Sequence, residues 1–188
     1  YGIGEGRRAS ESFDVTLYKA NYPDLQELFG DDNTKYVDHY LDYGINEGRC
    51  ANRRILNGIS VASDGKKYYY KNDQIDTSYT GFAAYQGNTY YVLGGIVSNY
   101  TGLINYYGTW YYLQSGSVKW DYTSLVEHSD GAWYYVEKGI LNWNYNGLVE
   151  YYGTLYYIQN GYLNWGYSGR IWYNGKWYKI VNGVAQKD

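Results

Sequence analysis

The sequence predicts a mainly β fold: a solenoid of about six stacked β-hairpin repeats of about 22 residues, preceded by a small α-helical region. Three observations support this: a turn glycine recurs at a nearly constant step, tyrosine dominates the composition, and glycine is abundant while proline is nearly absent. The turn glycines are Gly65, Gly87, Gly108, Gly131, Gly153 and Gly175. The aromatic pairs that follow the first five are Tyr68-Tyr69, Tyr90-Tyr91, Tyr111-Tyr112, Tyr134-Tyr135 and Tyr156-Tyr157. Periods of this length indicate a stacked array rather than a globule.

The composition narrows the class of protein further. The 188 residues include 30 Tyr and 7 Trp but only 3 Phe and no Met, and aromatic rings with a polar edge suit half-buried surfaces. A net charge of −3 offers no basic surface for nucleic acid. No apolar run approaches the roughly 20 residues that span a bilayer. The single cysteine, Cys50, cannot form an internal disulfide framework.

The N-terminal region, residues 1–52, carries the signals of short helices. Asp14 can cap a first helix over Val15–Asn21 by accepting hydrogen bonds from its free N–H groups. A proline is tolerated in the first turn of a helix, so a second helix is expected over Pro23–Phe29, and Gly30 is expected to end it.

A third helix is expected from Asp32 or Asn33 to Tyr43, with Gly44 as its end. The small core expected for the three helices consists of Leu17, Tyr18, Leu25, Leu28, Phe29, Tyr36, Val37, Tyr40 and Leu41. The opening segment Tyr1–Arg7 matches Tyr43–Arg49, so the chain is expected to begin inside a truncated helical repeat.

Residues 53–57 are the expected seam, and residues 58–188 form the expected β-hairpin solenoid. Each unit there predicts a strand, a turn at glycine and a second strand. Asn174-Gly175 is a strong two-residue hairpin signal, and Asp64-Gly65 and Asp130-Gly131 are expected to form turns of the same class. In five of the six units a second glycine then precedes a connector: Gly94, Gly116, Gly139, Gly161 and Gly183. Because a lone hairpin is barely stable in water, we expect the hairpins to stack through their rings into an elongated, superhelical rod.

Two sets of aromatic residues are candidate ligand contacts. The first precedes the aromatic pairs, and the second recurs in the connectors, where flanking Asn and Asp could hydrogen-bond the hydroxyls of a sugar stacked on the ring. The first set is Trp110, Trp133 and Trp177, and the second is Trp120, Tyr122, Trp143, Tyr145, Trp165 and Tyr167. The alternative for every one of these rings is packing between hairpins.

The repeated phrase resembles a known family. It combines Asn-Gly-x-Trp-Tyr-Tyr with a later glycine and a connector, and is clearest at Asn174–Tyr178 and Gly131–Tyr135. In these features, residues 58–188 resemble the choline-binding and related cell-wall-binding repeats of Gram-positive surface proteins. They are also similar to the glucan-binding repeats of glucansucrases and the carbohydrate-binding repeats of large clostridial toxins. In choline-binding members, the resemblance implies a cage of three aromatic walls, often with a Met, shared between neighbouring hairpins.

This sequence departs from that cage at two positions. The residue after the leading glycine is Phe82, Leu103, Leu148 or Arg170 rather than Trp, and the Met position is aliphatic. The resemblance therefore leaves the ligand open among choline, teichoic acid, peptidoglycan, a glucan and a host glycan. The helical unit also resembles a short repeat found beside such arrays in secreted enzymes of gut Firmicutes, which implies a multidomain parent whose catalytic part lies elsewhere.

No residue pattern predicts catalysis, a metal or a cofactor. His39 and His128 have no partners at metal-ligand spacing. Glu127 and Glu150 occupy equivalent positions of two repeats, whereas a catalytic pair should be unlike its repeats. No catalytic residue, metal site or cofactor is therefore expected, and the fragment is not expected to be an enzyme.

The sequence predicts a non-catalytic binding module of a secreted bacterial surface protein, located at the cell surface or cell wall. It would attach that protein to a cell-wall polymer or other glycan through repeated aromatic sites, with no nucleic-acid partner and no membrane insertion. Two alternatives stay open: a host-glycan or glucan-binding module of a secreted enzyme, and a rigid structural stalk with no ligand. Whether two arrays pair into a dimer is also left open.

Overall fold

The computed structural model describes residues 13–186, so the match predicted between Tyr1–Arg7 and a later segment lies outside the described residues. The fold is mainly β, with helices only near the N-terminus and repeats of about 22 residues, as the sequence predicts. The chain forms two compact units. One contains the residues up to Asn57 together with Tyr70–Gln74, and the other contains Gly58–Tyr69 and the residues from Ile75 onward.

Three seven-residue α-helices form the first unit: α1 (Val15–Asn21), α2 (Pro23–Phe29) and α3 (Asn33–His39). The first two have the predicted bounds. The third helical segment reaches Gly44, close to its predicted end, but it is α-helical only as far as His39 and continues as a π-helical turn over Tyr40–Gly44. In the wider turn the N–H of Ile45 donates to the carbonyl of Tyr40, five residues back.

The predicted helix caps are confirmed. The Asp14 carboxylate accepts hydrogen bonds from the N–H groups of Thr16 (2.8 Å) and Leu17 (3.1 Å) at the start of α1. Asp32 caps α3 in the same way, through the N–H of Thr34 at 3.1 Å. Gly30 ends α2 with a positive φ of 54°. α1 and α3 thus begin where an Asp side chain satisfies terminal N–H groups, and α2 ends at a glycine.

The core of the helical unit is smaller than predicted. Tyr18, Leu25, Tyr36 and Ala51 are buried. The predicted core residues Leu28, Val37 and Leu41 are instead 70%, 37% and 60% exposed. They are not needed there because aromatic rings fill the space around the buried residues: Phe13, Tyr22, Phe29 and Tyr40 all pack against this core.

From Gly58 onward the chain forms an array of six repeats, each with two strands of a hairpin and a short third strand. Repeat 1 comprises β1 (Gly58–Val61), β2 (Lys67–Lys71) and β3 (Gln74–Ile75); repeat 2, β4 (Gly81–Tyr85), β5 (Asn88–Leu93) and β6 (Ile96–Val97); repeat 3, β7 (Gly102–Tyr106), β8 (Thr109–Gln114) and β9 (Ser117–Val118). Repeat 4 comprises β10 (Ser124–Glu127), β11 (Trp133–Glu137) and β12 (Ile140–Leu141); repeat 5, β13 (Gly147–Tyr151), β14 (Thr154–Gln159) and β15 (Tyr162–Leu163); repeat 6, β16 (Gly169–Tyr173), β17 (Lys176–Val181) and β18 (Val184–Ala185). All pairings are antiparallel and the sheet is not closed.

The hairpin turns fall into two classes, not the single class predicted. In Asn174-Gly175 and its counterparts in repeats 2, 3 and 5, both central residues have positive φ, as in a type I′ turn. In the turn at Asp130-Gly131 only the glycine has positive φ, and the N–H of His128 donates to the carbonyl of Ala132 across a longer loop. The turn at Asp64-Gly65 is built in the same way. In both longer turns the Asp carboxylate accepts a backbone N–H two residues on, which holds the extra residues.

The short third strand joins each repeat to the one before it. It pairs with the second strand of its own hairpin and with the second strand of the preceding repeat, as in the pairing of β15 with both β14 and β11. A glycine forms the centre of each joint: the N–H of Gly161 donates to the carbonyl of Tyr145 (3.0 Å), and its own carbonyl accepts from the N–H of Tyr135 (2.8 Å). The same two bonds recur at Gly95, Gly116, Gly139 and Gly183. We call this arrangement the glycine joint.

Side chains complete the packing between repeats. One aliphatic side chain on the second strand of each of repeats 2 to 6 is almost fully buried: Val92, Leu113, Val136, Ile158 and Ile180. Around them lie two equivalent clusters, one centred on Leu103, Val126, Val136 and Leu141 and the other on Leu125, Val149, Ile158 and Leu163. Each cluster combines residues from two successive repeats, so a repeat buries its apolar face only against its neighbours.

Candidate functional site

The tryptophans that precede the aromatic pairs face the next repeat along the chain. Trp110 of repeat 3 lies edge-to-face with His128 of repeat 4, with ring centroids 5.2 Å apart. Trp133 of repeat 4 lies edge-to-face with Tyr151 of repeat 5, also at 5.2 Å. His128 and Tyr151 stand at the same place, directly after Glu127 and Glu150 near the end of the first strand. The two contacts are therefore the same contact repeated one unit later.

The connector tryptophans pack against the first tyrosine of the aromatic pair in their own repeat. Trp143 contacts Tyr134 at 5.7 Å, and Trp165 contacts Tyr156 at 5.9 Å, both nearly perpendicular. Trp120 makes the corresponding contact with Tyr111, at 6.2 Å. The three tryptophans are 46–49% exposed, so each is held by its edge while much of the indole faces solvent.

These contacts meet between repeats 3 and 4 in a small open pocket of about 70 Å³, which we call the 3–4 site. Its aromatic walls are Trp110, Tyr134 and Trp143, and the other residues lining it are Leu103, His128, Asp130 and Leu141. The equivalent residues between repeats 4 and 5 form the 4–5 site. Leu125, Trp133, Tyr151, Tyr156 and Leu163 belong to a single cluster there, and Trp165 is in contact with Tyr156.

Strand geometry explains why each site needs two repeats. Successive side chains of a strand point to opposite faces. Trp133 and Tyr134 are adjacent in β11, so Trp133 serves the 4–5 site while Tyr134 serves the 3–4 site. The pattern W-Y-Y therefore supplies one wall to the following site and one to the preceding site.

The 3–4 site has an acidic rim. The Asp130 carboxylate accepts hydrogen bonds from the N–H of Ala132 (2.8 Å) and from the hydroxyl of Tyr134 (2.8 Å). These two bonds lower the pKa of Asp130 below its ordinary value, so it carries a negative charge at neutral pH. The bond to Asp130 and burial together raise the pKa of Tyr134. Nδ1 of His128 is buried and has no hydrogen-bond partner among the described residues.

The three connector tyrosines lie deeper than the connector tryptophans. Tyr122 packs on Tyr112 (4.3 Å), Tyr145 on Tyr135 (4.0 Å) and Tyr167 on Tyr157 (4.3 Å). Their hydroxyls donate to the carbonyls of Leu125, Leu148 and Arg170, at 2.7, 2.8 and 3.4 Å respectively. Burial raises the pKa of Tyr122 to about 12. The structure thus places these three rings in the packing between repeats, with their polar edges satisfied.

The remaining candidates are not gathered into an equivalent of the 3–4 site. Trp120 is the connector tryptophan of repeat 3, so its equivalent site would lie between repeats 2 and 3. There Thr89 of repeat 2 stands at the position that Trp110 holds in the 3–4 site. Trp177 is 54% exposed and lies edge-to-face with Trp172 at 5.5 Å, with the Arg170 guanidinium 5.7 Å from its ring.

Sequence reasoning missed several residues of both sites. Tyr134, Tyr156, His128 and Tyr151 are not among the candidate ligand contacts that the sequence predicts. The signal for His128 and Tyr151 was the recurrence of a ring at the end of the first strand in repeats 2 to 6, and the signal for Tyr134 and Tyr156 was the aromatic pair itself. Only the pairing of successive repeats shows which rings converge. Among residues 13–186, no cluster of His, Cys, Asp and Glu is placed to hold a metal ion, and no helix is long and apolar enough to cross a membrane.

Comparison with known proteins identifies the repeats. Four consecutive segments match the family model of the choline-binding repeat: residues 78–98, 99–119, 121–142 and 144–164. No curated protein matches the chain significantly. Similar solved structures include an alternansucrase in complex with isomaltotriose, at 20% identity over 70% of this chain and 11% of that chain, with a TM-score of 0.33.

CbpF in complex with ipratropium is similar at 21% identity, over 73% of this chain and 56% of that chain, with a TM-score of 0.32. The chain thus spans only about a tenth of the alternansucrase and just over half of CbpF. The four matched segments are repeats 2 to 5, each with part of a neighbouring connector, and they contain the residues of both aromatic sites except the connector tryptophans Trp143 and Trp165. The array from residue 78 to residue 164 is therefore similar to choline-binding repeats in four consecutive units, which supports a ligand-binding repeat module.

Proposed function

We propose that this repeat array attaches a secreted bacterial surface protein to a cell-wall polymer by binding ammonium-bearing substituents of that polymer at the 3–4 and 4–5 sites. One observation carries the proposal: Trp110, Tyr134 and Trp143 converge on an open pocket with the ionised Asp130 at its rim. A cation over the faces of Trp and Tyr is stabilised by the quadrupole of the rings, and a nearby carboxylate adds Coulomb attraction.

The charge distribution of the 3–4 site supports a cationic ligand over an anionic one. Neither Lys nor Arg is among the residues that line it. The apolar floor of Leu103 and Leu141 suits the methyl groups of a quaternary ammonium, which needs no hydrogen bond. The same aromatic and aliphatic positions recur in the 4–5 site, where Tyr151 replaces His128.

Repetition is central to the proposed attachment. A single small aromatic site binds a small cation weakly, whereas two linked sites on one chain raise the overall affinity for a polymer that presents many copies of the group. The proposed role is therefore anchoring by avidity. The choline-binding repeat, which the array resembles in four units, is a binding module, and this supports a non-catalytic role for the array.

The test is a titration with choline in which tryptophan fluorescence reports binding. It compares the wild-type chain with matched variants that each lack one tryptophan. Trp143→Ala and Trp165→Ala each remove one wall of one site, and loss of a cation–π contact of about 0.5–2 kcal/mol should weaken binding at that site roughly 2- to 30-fold. Trp172→Ala is the control, because Trp172 is 58% exposed and lies in neither site. Unchanged binding by the two site variants, in folded protein, would refute the proposal.

The exposed connector tryptophans also favour a second candidate, binding of a neutral glycan. Trp120, Trp143 and Trp165 present half-exposed indole rings at three successive repeats, and such rings can stack on the C–H face of a sugar. A glucan oligosaccharide that competes with choline, or that binds when choline does not, would favour this alternative. The exposure of these rings gives no support to a stalk whose aromatic residues serve only for packing.

A further inference from the structure

The first pair of repeats contains a variant of the aromatic sites. The wall position held by Trp110 in the 3–4 site and by Trp133 in the 4–5 site is held by Lys67 in repeat 1. Two of the three rings contributed by the following repeat are kept there as Tyr85 and Tyr90, the counterparts of His128 with Tyr134 and of Tyr151 with Tyr156. The position of the connector tryptophan is held by Asn99. We call this the 1–2 site.

Lys67 places its ammonium group over those two rings. Nζ lies 4.4 Å from the centroid of the Tyr90 ring and 5.6 Å from that of Tyr85, within the range of a cation–π contact. Nζ also lies 3.2 Å from the Tyr90 hydroxyl oxygen, to which it donates a hydrogen bond. The two tyrosine rings are themselves held together, with centroids 6.3 Å apart.

No carboxylate accounts for the position of this ammonium group. Among residues 13–186, none lies within salt-bridge distance of Lys67 Nζ. A lysine side chain has many rotamers and strong hydration, so a half-buried ammonium normally turns towards water or a carboxylate. Here it turns instead to two tyrosine rings, at the positions that would contact a ligand in the 3–4 and 4–5 sites, two and three repeats later.

We propose that the 1–2 site is an ammonium-binding site that the chain fills with its own Lys67, and that removing this side chain opens it to a small quaternary ammonium ligand. Lys67 then determines how many sites of the array are open to the polymer. The occupation of the 1–2 site by Lys67 does not depend on the proposed function. The choice of a quaternary ammonium as the added ligand rests on the proposed function.

The test compares wild-type chain, Lys67→Ala and Lys66→Ala in a titration with tetramethylammonium. The ring resonances of Tyr85 and Tyr90 are followed by NMR together with the fluorescence of Trp143. Lys66 is an exposed neighbour with no contact to either ring in the described structure, so its removal controls for the loss of one positive charge. The apparent affinity at Tyr90 should be at least about tenfold higher in Lys67→Ala than in the other two proteins, because no intramolecular ammonium competes.

The possible results separate the two proposals. A response at Trp143 in all three proteins, with no response of Tyr85 and Tyr90 in Lys67→Ala, would overturn the 1–2 site while leaving the proposed function intact. An equal response of Tyr90 in wild type and variant would also overturn it, because Lys67 would then not occupy the site. A response at Tyr90 in Lys67→Ala with none at Trp143 would support the 1–2 site and count against the proposed function.

Lysine modification gives an independent measurement of occupancy. Reductive methylation of the folded wild-type chain should modify Lys67 several-fold more slowly than Lys66, and Tyr90→Leu should remove this protection by deleting the principal ring. Equal rates for Lys66 and Lys67 in the wild-type chain would contradict the proposal without reference to any ligand.

Discussion

Substitution of the joint glycine Gly161 by alanine should weaken the array far more than substitution of the turn glycine Gly153. The two glycines have almost the same backbone conformation, with φ of +78° and +77°. A left-handed conformation costs a non-glycine residue about 1–2 kcal/mol, and this cost is common to both variants. What differs is the space around the added methyl group.

At Gly153 no heavy atom lies within 4 Å of an added Cβ. At Gly161 the same Cβ would lie 2.5 Å from the carbonyl oxygen of Asn142 and 2.8 Å from Cα of Trp143, and both are backbone atoms that cannot rotate away. Overpacking of this kind typically costs about 1–3 kcal/mol. We therefore expect a loss of about 2–5 kcal/mol for Gly161→Ala and about 1–2 kcal/mol for Gly153→Ala.

Urea unfolding followed by tryptophan fluorescence measures this difference. With a urea dependence of about 2 kcal/mol/M, the midpoint of Gly161→Ala should lie roughly 0.5–1.5 M below that of Gly153→Ala. The Gly161 variant should also weaken the 4–5 site, since the joint holds repeat 5 against repeat 4. Equal midpoints for the two variants would refute the view that backbone contact at the glycine joint holds successive repeats together.

Two further predictions concern titration and helix capping. Burial raises the pKa of Tyr122 to about 12 from an ordinary value of 10.0. The contribution of the neutral Tyr122 side chain to the free energy of unfolding is therefore complete below pH 10 and is lost as the pH rises towards 12. The urea midpoint of the wild-type chain should fall over this interval, and the fall should be smaller in Tyr122→Phe. Asp14→Ala removes the two hydrogen bonds from backbone N–H groups to the Asp14 carboxylate that cap α1. It should lower the stability of the helical unit by about 1 kcal/mol, measured by thermal unfolding followed by circular dichroism. Glu27→Ala, on the exposed face of α2, should leave this stability unchanged.

The helical unit was predictable wherever local chemistry decides the structure. Asp14, Pro23 and Gly30 set helix ends by interactions within a few residues, and the bounds of α1 and α2 followed from them. The core was less predictable because it depends on which faces of three short helices meet. Leu28 is apolar and at helical spacing, yet it is exposed, and aromatic rings pack against Tyr18 and Tyr36 instead.

The period of the array was predictable, but its joints were not. The third strands are only two residues long, as in Ile140–Leu141, and so carry no periodic signal of their own. They exist because they pair with two other strands at once. The sites were half predictable for the same reason: the tryptophans are conspicuous in the sequence, whereas the partners of Trp110 in the 3–4 site come from a repeat that lies some 20 to 30 residues later.

The groups that join successive repeats at the glycine joint differ from the groups that line the aromatic sites. The hydrogen bonds of the joint run entirely between backbone groups, so they are the same whichever side chain occupies the wall position just before the aromatic pair. That position holds Lys67, Thr89, Trp110, Trp133 and Leu155 in the first five repeats, and every one of those repeats makes the same joint to its successor. Because the fold does not depend on this residue, selection can tune the ligand of each site one substitution at a time. The array can therefore acquire mixed specificities along a single chain without any change in how it is built.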